Sequence, residues 1–380
     1  MATPRRGRTH SWRIQRPAEA AEIAVRIFCC VVCLMFVFSL AGCWGEPSFT
    51  AHTSVGITAP STTEERAERI FRNVSRQLGE RFIGINRRPW LVFGTERREL
   101  QNCLDHELPL INTWMQQQYG CDLFLHPVAV VICSDTADYE SAAAAVLGVP
   151  PPSPLGFYRR SRSMVFVNLE TGSGPLWHEV THVWIEEDFA THSARLGPGG
   201  DRDAPNTTAD CPLWLHEGLA MLHEAFVVQR ADNAWIGLPN WNWRCDVLIA
   251  QQLTQSTNDA GMASGPAPPS DDDSEMLLMR VDDLLTEHQP SGESTATWCG
   301  QLRVFCWFLH EREALGPVYR SVRDMVAKTG SPVPQVATLT LIAGQIGCDR
   351  NEIDRLFRQW WREKLLAHRL RYPALPSQDS

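Results

Sequence analysis

The sequence predicts an α+β fold, with an N-terminal mixed sheet lobe followed by a helical C-terminal lobe. Two observations carry this expectation. Up to about residue 175, short apolar strand-like runs alternate with helical spacing, and beyond it almost every periodic segment is helical. The chain has 380 residues, 44% of them hydrophobic and 21% charged, enough for a sizeable core. That composition excludes a disordered, a collagen-like and a multi-span membrane protein.

Thr63–Gly79 has helical spacing. Phe82–Ile85 and Trp90–Phe93 read as strands around the turn Asn86–Pro89. Glu96–Tyr119 is a long amphipathic helix that Gly120 should cap. Pro127–Cys133 is a buried strand, Ala137–Leu147 a helix and Pro150–Pro154 a loop. Phe157–Tyr158 and Met164–Asn168 complete the strands around the basic turn Arg159–Arg162.

The first segment reads as an address. Arg5, Arg6, Arg8, Arg13 and Arg16 form a basic region before the apolar stretch Ile27–Leu40. As a helix that stretch rises ~21 Å, short of a ~30 Å hydrocarbon core, which favours a signal peptide over a spanning helix. Leu40-Ala41-Gly42-Cys43 resembles the bacterial lipobox, which implies lipidation of Cys43. An uncleaved anchor with Arg26 at its inner edge is the alternative. Either reading places the body outside the cytoplasm, tethered to a membrane. Residues 44–63 are rich in Ser, Thr, Pro and Gly and suit a tether.

Residues 1–42 hold six Arg and two Glu, so the remainder is more acidic than the whole chain, whose formal charge is −9. An acidic body without a Lys/Arg cluster argues against nucleic acid as partner. Beyond Cys43 eight cysteines remain, Cys103, Cys121, Cys133, Cys211, Cys245, Cys299, Cys306 and Cys348. An even number outside the cytoplasm permits disulfides without revealing their pairing. No C-x-x-C pair is among them, and Cys133, within an apolar run, reads as a core thiol. There is no G-x-G-x-x-G, no Walker A loop and no G-x-S-x-G, so nucleotide binding and serine hydrolysis have no support.

The chemistry concentrates at Trp177-His178-Glu179-Val180-Thr181-His182, an H-E-x-x-H motif. On a helix, residues four apart share a face, so both imidazoles can reach one metal ion. Glu179 points beside that ion, where it could take a proton from water. A metzincin pattern fails, because Ile185 and Asp188 stand where Gly and a third His are required. Glu186, one turn past His182, could compete as a ligand, but sharing the helix makes its approach poor.

Downstream, Trp214-Leu215-His216-Glu217-Gly218-Leu219-Ala220 resembles the W-L-x-E-G-x-A helix of the gluzincin metallopeptidases, which include thermolysin-like and aminopeptidase families. The resemblance covers Glu65–Leu309 and, more loosely, extends to Leu366. It is with the peptidase MA-like group, and it implies a zincin-like catalytic domain. Its closing pattern is matched by Leu302–His310, Met325–Gly330 and the Trp-rich Leu356–Leu366. The resemblance makes Glu217 the third ligand beside His178 and His182, with one Zn²⁺ per chain and Glu179 as general base. It also implies a peptide or protein substrate, held along the strand that precedes the metal-binding helix, Met164–Asn168.

Two departures follow from the same resemblance. The stretch between His182 and Glu217 is long, with 191–210 as an inserted loop. The oxyanion-stabilising Tyr of many relatives is replaced by Trp298 or Cys299, leaving His223, Tyr319 and His310 as weak candidates for its role. Glu224, two turns past Glu217, could orient a ligand His from outside the donor set, or could be an exposed helix carboxylate. His216 and His223 flank the ligand face and are not expected as ligands. Trp241 and Trp243 are expected mainly in packing, and the acidic loop 255–275 in solvent.

The expected organisation is therefore a signal over 1–42, a tether over 43–63, an α/β lobe over 64–174, metal-binding helices over 175–230 and a helical lobe over 231–368. The function expected is that of a membrane-anchored zinc metallopeptidase. The competing expectation is a zinc-containing binding or scaffold lipoprotein that has lost turnover. An intact Glu179 argues for the enzyme and the missing Tyr for the scaffold.

Overall fold

The structure is a computed structural model, and it describes residues 62–121, 126–196, 211–231, 234–249, 278–286 and 294–371. The expected signal over 1–42, Cys43 and most of the expected tether lie outside the described residues, as do 197–210 and the expected acidic loop 255–275. Within them the chain is a mixed α+β fold.

Helix α1 (Thr63–Leu78) starts from a reciprocal capping box between Thr62 and Glu65. Strands β1 (Ile83–Arg87) and β2 (Trp90–Gly94) form an antiparallel hairpin, tighter than the four-residue turn expected. The long helix is present as α2 (Arg97–Asn102) and α3 (Leu108–Tyr119), joined by a π-helical turn over Cys103–Glu107. Pro109, lacking an N–H, cannot continue the α ladder there, and the wider turn absorbs the mismatch. Gly120 caps α3 in the left-handed conformation, as expected.

Strand β3 (Val128–Cys133), helix α4 (Thr136–Leu147), β4 (Gly156–Arg159) and β5 (Met164–Asn168) complete a sheet of order β1-β2-β3-β5-β4. β2, β3 and β5 are parallel, and β4 pairs antiparallel with β5. All of β3 is buried, because both sheet faces are covered. Leu91, Phe93, Val131 and Phe166 face α1 and α4, whereas Val92, Val130, Val165 and Val167 face the larger core beneath the remaining helices.

Helix α5 (Gly174–Leu196) runs along β4 and β5 and packs against α6 (Leu213–His223) and α10 (Leu315–Thr329). The first six residues of the expected inserted loop, 191–196, belong to α5. A short helix, α7, follows at 243–249, then α8 (Val281–Leu284) and the buried helix α9 (Ser294–Glu311), against which α6 packs. α11 (Gln335–Ile346) and the Trp-bearing α12 (Ile353–Arg371) close the fold. Between α6 and 243–249 lies an antiparallel hairpin, β6 (Phe226–Ala231) and β7 (Ala234–Pro239), which the helical reading of 175–368 missed. The β-branched Val227-Val228 after Phe226 and the Asp232-Asn233 pair before a second apolar run were the available signals.

The eight cysteines beyond Cys43 are all free thiols, and seven are buried, Cys133 among them. No helix among the described residues is long and apolar enough to cross a membrane.

Candidate metal centre

The site forms where α5 crosses α6 under the edge of the sheet. Helical spacing brings His178 and His182 together, and their Nε2 atoms are 3.1 Å apart. Two nitrogens of a tetrahedral zinc ion stand ~3.3 Å from each other, from bond lengths of 2.0–2.1 Å. From the second helix, Glu217 Oε1 approaches His182 Nε2 to 3.9 Å. Glu179 completes the first donor group, His178–Glu179–His182, while His182–His216–Glu217 forms a second. These His/Glu groups could hold a metal ion.

Glycines let both neighbours of α6 pack close to it. A Cβ on Gly218, beside Glu217, would lie 2.5 Å from Cys306 Sγ on α9. A Cβ on Gly174 would meet the Glu224 carbonyl oxygen at 2.6 Å, so glycine lets the start of α5 touch the end of α6. Gly218→Ala is therefore expected to destabilise the fold by about 1–3 kcal/mol and to shift Glu217. A lowered denaturant midpoint, relieved by adding Cys306→Ala, is the result to measure. An unchanged midpoint would show that α6 can move away freely.

Three buried carboxylates share this volume. Burial, followed by the charges of Glu217 and Glu224, pushes Glu179 well above the usual carboxylate range, although the Tyr158 backbone N–H opposes the shift. Burial alone would also raise Glu217, but the surrounding His182, His216 and His178 rings hold it down to about 2. Burial lowers His178 and His182, keeping both imidazoles neutral and their lone pairs free for a metal. The donors thus suit a divalent cation: neutral imidazoles, an ionised carboxylate and an excess of acidic groups over the guanidiniums nearby.

Glu224 is buried, not an exposed carboxylate. Its Oε2 is 2.6 Å from Arg244 Nε and 3.9 Å from His178 Nδ1, and its Oε1 accepts from Trp243 Nε1 at 3.3 Å. Burial would raise Glu224, yet Arg244 outweighs it and keeps the carboxylate ionised. Sequence reasoning named Glu224 and expected Trp243 mainly in packing, but missed Arg244, since nothing local marks a buried guanidinium on the helix at 243–249. Trp241, by contrast, packs: it stacks on Trp361 and His368.

The weak candidates for oxyanion stabilisation are committed elsewhere. The Thr181 hydroxyl donates to the Trp177 carbonyl, so His223 Nδ1 donates to Thr181 Oγ1, and His223 Nε2 accepts from Trp114 and Tyr119. Burial, then His310 and His178, lowers His223 to about 3, so it clamps α3, α5 and α6 as a neutral ring. Tyr319 donates to Asp188, and His310 Nε2 pairs with the Gly237 carbonyl. Trp298 donates to the Leu284 carbonyl, and burial pushes Cys299 up to about 12. Glu186, the rival ligand, lies 3.3 Å from Arg160 and belongs to neither donor group.

One expectation about the cleft is corrected. Met164–Asn168 has partners on both sides, β3 and β4, and cannot offer its backbone to a peptide. The edge strand is Gly156–Arg159, and Glu179 lies against it: a Cβ on Gly156 would sit 3.3 Å from Glu179 Cγ. No protein-family model matches the chain, and comparison with curated proteins finds no match.

Proposed function

We propose that the protein is a zinc metallopeptidase of the gluzincin type, with a zincin-like catalytic domain that hydrolyses peptide bonds. One observation carries the reading. His178 and His182 on one helix meet at 3.1 Å, Glu217 from a second helix comes within 3.9 Å of His182, and Glu179 is buried between the histidines and a sheet edge. His178, His182 and Glu217 would hold the ion. A bound Zn²⁺ would polarise a scissile carbonyl and lower the pKa of water toward ~7.

Glu179 takes the proton from the attacking water and returns it to the leaving nitrogen. Arg244 and Trp243 fix Glu224, whose Oε2 lies 3.9 Å from His178 Nδ1 and would orient that ring on closing to hydrogen-bond distance. The edge strand Gly156–Arg159 aligns an extended substrate by backbone hydrogen bonds, largely independent of side-chain sequence. Attachment through a lipid on Cys43 would keep this activity at a membrane, outside the cytoplasm.

The test is metal content together with peptide hydrolysis. One zinc per chain is expected, with cleavage of a mixed peptide library that a chelator abolishes and added Zn²⁺ restores. A protein that binds no zinc would overturn the centre itself. A zinc-binding protein that cleaves nothing would favour the second reading, a binding or scaffold lipoprotein. That alternative draws on the engagement of His223, Tyr319 and His310 elsewhere, which leaves the oxyanion without the donor expected of an enzyme.

A further inference from the structure

The helix that closes the fold shows solvent a face unlike the rest of the molecule. α12 buries Phe357, Trp361 and Leu365. Arg362, Leu366, Arg369 and Leu370, at helical spacings of four, seven and eight, share the outward face. All four are exposed, Leu366 at 60% and Leu370 at 75%. α12 carries six Lys/Arg against two Asp/Glu, in a chain whose formal charge is −9. The guanidiniums of Arg362, Arg369 and Arg371 make no ion pair among the described residues. A single exposed leucine needs no explanation, but a second apolar element adjoins this one. The β6–β7 hairpin exposes Val227, Ile236 and Leu238 on one side, with Val227 opposite Leu238 in the register. Trp241, just past β7, stacks on His368 of α12 with centroids 3.8 Å apart, which joins the hairpin to the end of the helix.

We propose that the outward face of α12, with the adjoining hairpin, rests on an anionic membrane surface. Free guanidiniums beside exposed leucines select that occupant. A polyanion such as nucleic acid would answer the arginines and leave the leucines in water, whereas a purely apolar partner would strand the charges. The headgroup boundary of a bilayer offers phosphates to the first and acyl chains to the second within ~5–10 Å of depth, and acidic lipids add attraction for each Arg. The inference rests on the membrane attachment through Cys43 proposed above, which brings a bilayer within reach. The stretch from Cys43 to Thr62 can extend at most ~65 Å, more than a domain of this size is wide. Such a tether cannot by itself choose which face meets the membrane. α12 makes that choice and fixes the orientation of the metal centre above the lipid.

The experiment reads the helix separately from the anchor. Full-length protein with a photoreactive benzophenone amino acid in place of Leu370 is reconstituted on phosphatidylcholine vesicles, with or without phosphatidylglycerol. After irradiation the adducts are identified by mass. Lipid adducts are expected on the anionic vesicles, and also with the probe in place of Leu238. None is expected in place of Val149, which is 54% exposed on another part of the surface. Changing Arg362, Arg369 and Arg371 together to Gln should shift the docking equilibrium by about 100-fold, so the adducts at position 370 disappear while the protein stays on the vesicle. These are exposed side chains, so the fold is not at stake. A position 370 free of lipid adducts on anionic vesicles that hold the protein would overturn the proposal and leave the anchor intact. Adducts to a second copy of the chain or to added RNA would overturn it in favour of that partner. Retention on anionic vesicles alone, lost in the triple variant, would overturn the anchor and support docking through α12.

Discussion

Glu179→Gln is expected to retain its fold and its metal while losing peptide hydrolysis by roughly 10²–10⁴-fold, the usual contribution of a positioned general base. The substitution keeps the shape of a residue that is 7% exposed and lies against Gly156. The amide oxygen can still accept the Tyr158 backbone N–H that the carboxylate accepts. What disappears is the role proposed for the carboxylate, carrying a proton from water to the leaving nitrogen. The variant also removes one of three crowded carboxylates, so metal-free stability should hold or rise. The decisive comparison is kcat/KM on a peptide library alongside zinc per chain. Equal rates for the two proteins would remove Glu179 from the mechanism, even if zinc is present.

Arg323→Met should destabilise the fold by about 3–5 kcal/mol, the cost of leaving a buried charge without its partner. Asp188 on α5 has a side chain only 1% exposed, and Arg323 Nη1 on α10 lies 3.2 and 2.9 Å from its two carboxylate oxygens. The same guanidinium donates to the Gly120 carbonyl at 3.2 Å, and Tyr319 adds a hydrogen bond to Asp188 at 2.9 Å. The pair therefore ties α5 and α10 to the end of α3. Since α5 carries both histidines proposed to bind the metal, zinc affinity should fall with stability. Denaturant midpoints for Arg323→Met, Asp188→Ala and the double variant would check this. The double variant should lose less than the sum of the two, because it leaves neither charge stranded. Losses below about 1 kcal/mol for Arg323→Met would place the pair among weak surface bridges.

Much of the fold was legible because its signals are local. The buried run Val128–Cys133 reads as a two-face-covered strand, and Gly120 as a left-handed cap, without knowledge of any neighbour. The hairpin Phe226–Pro239 was not legible. It is short and follows a helix without a strong breaker, and its exposed Val227, Ile236 and Leu238 blur the alternation that marks a half-buried strand.

The site divides along the same line. His178 and His182 converge because a helix places residues four apart on one face, so the sequence alone determined that pair and the position of Glu179 beside it. How near Glu217 comes to His182 depends on α6 crossing α5, with Gly174 at their contact and Gly218 against α9, and packing alone decides that. The tertiary structure also decided that β4 rather than β5 forms the sheet edge, that Glu224 is buried against Arg244, and that His216 turns inward to stack on His182. Each depends on residues distant in sequence, or on which way a helix turns one face toward its neighbour. Local periodicity sets the spacing of side chains along an element, but the choice of partner is a property of the assembled core.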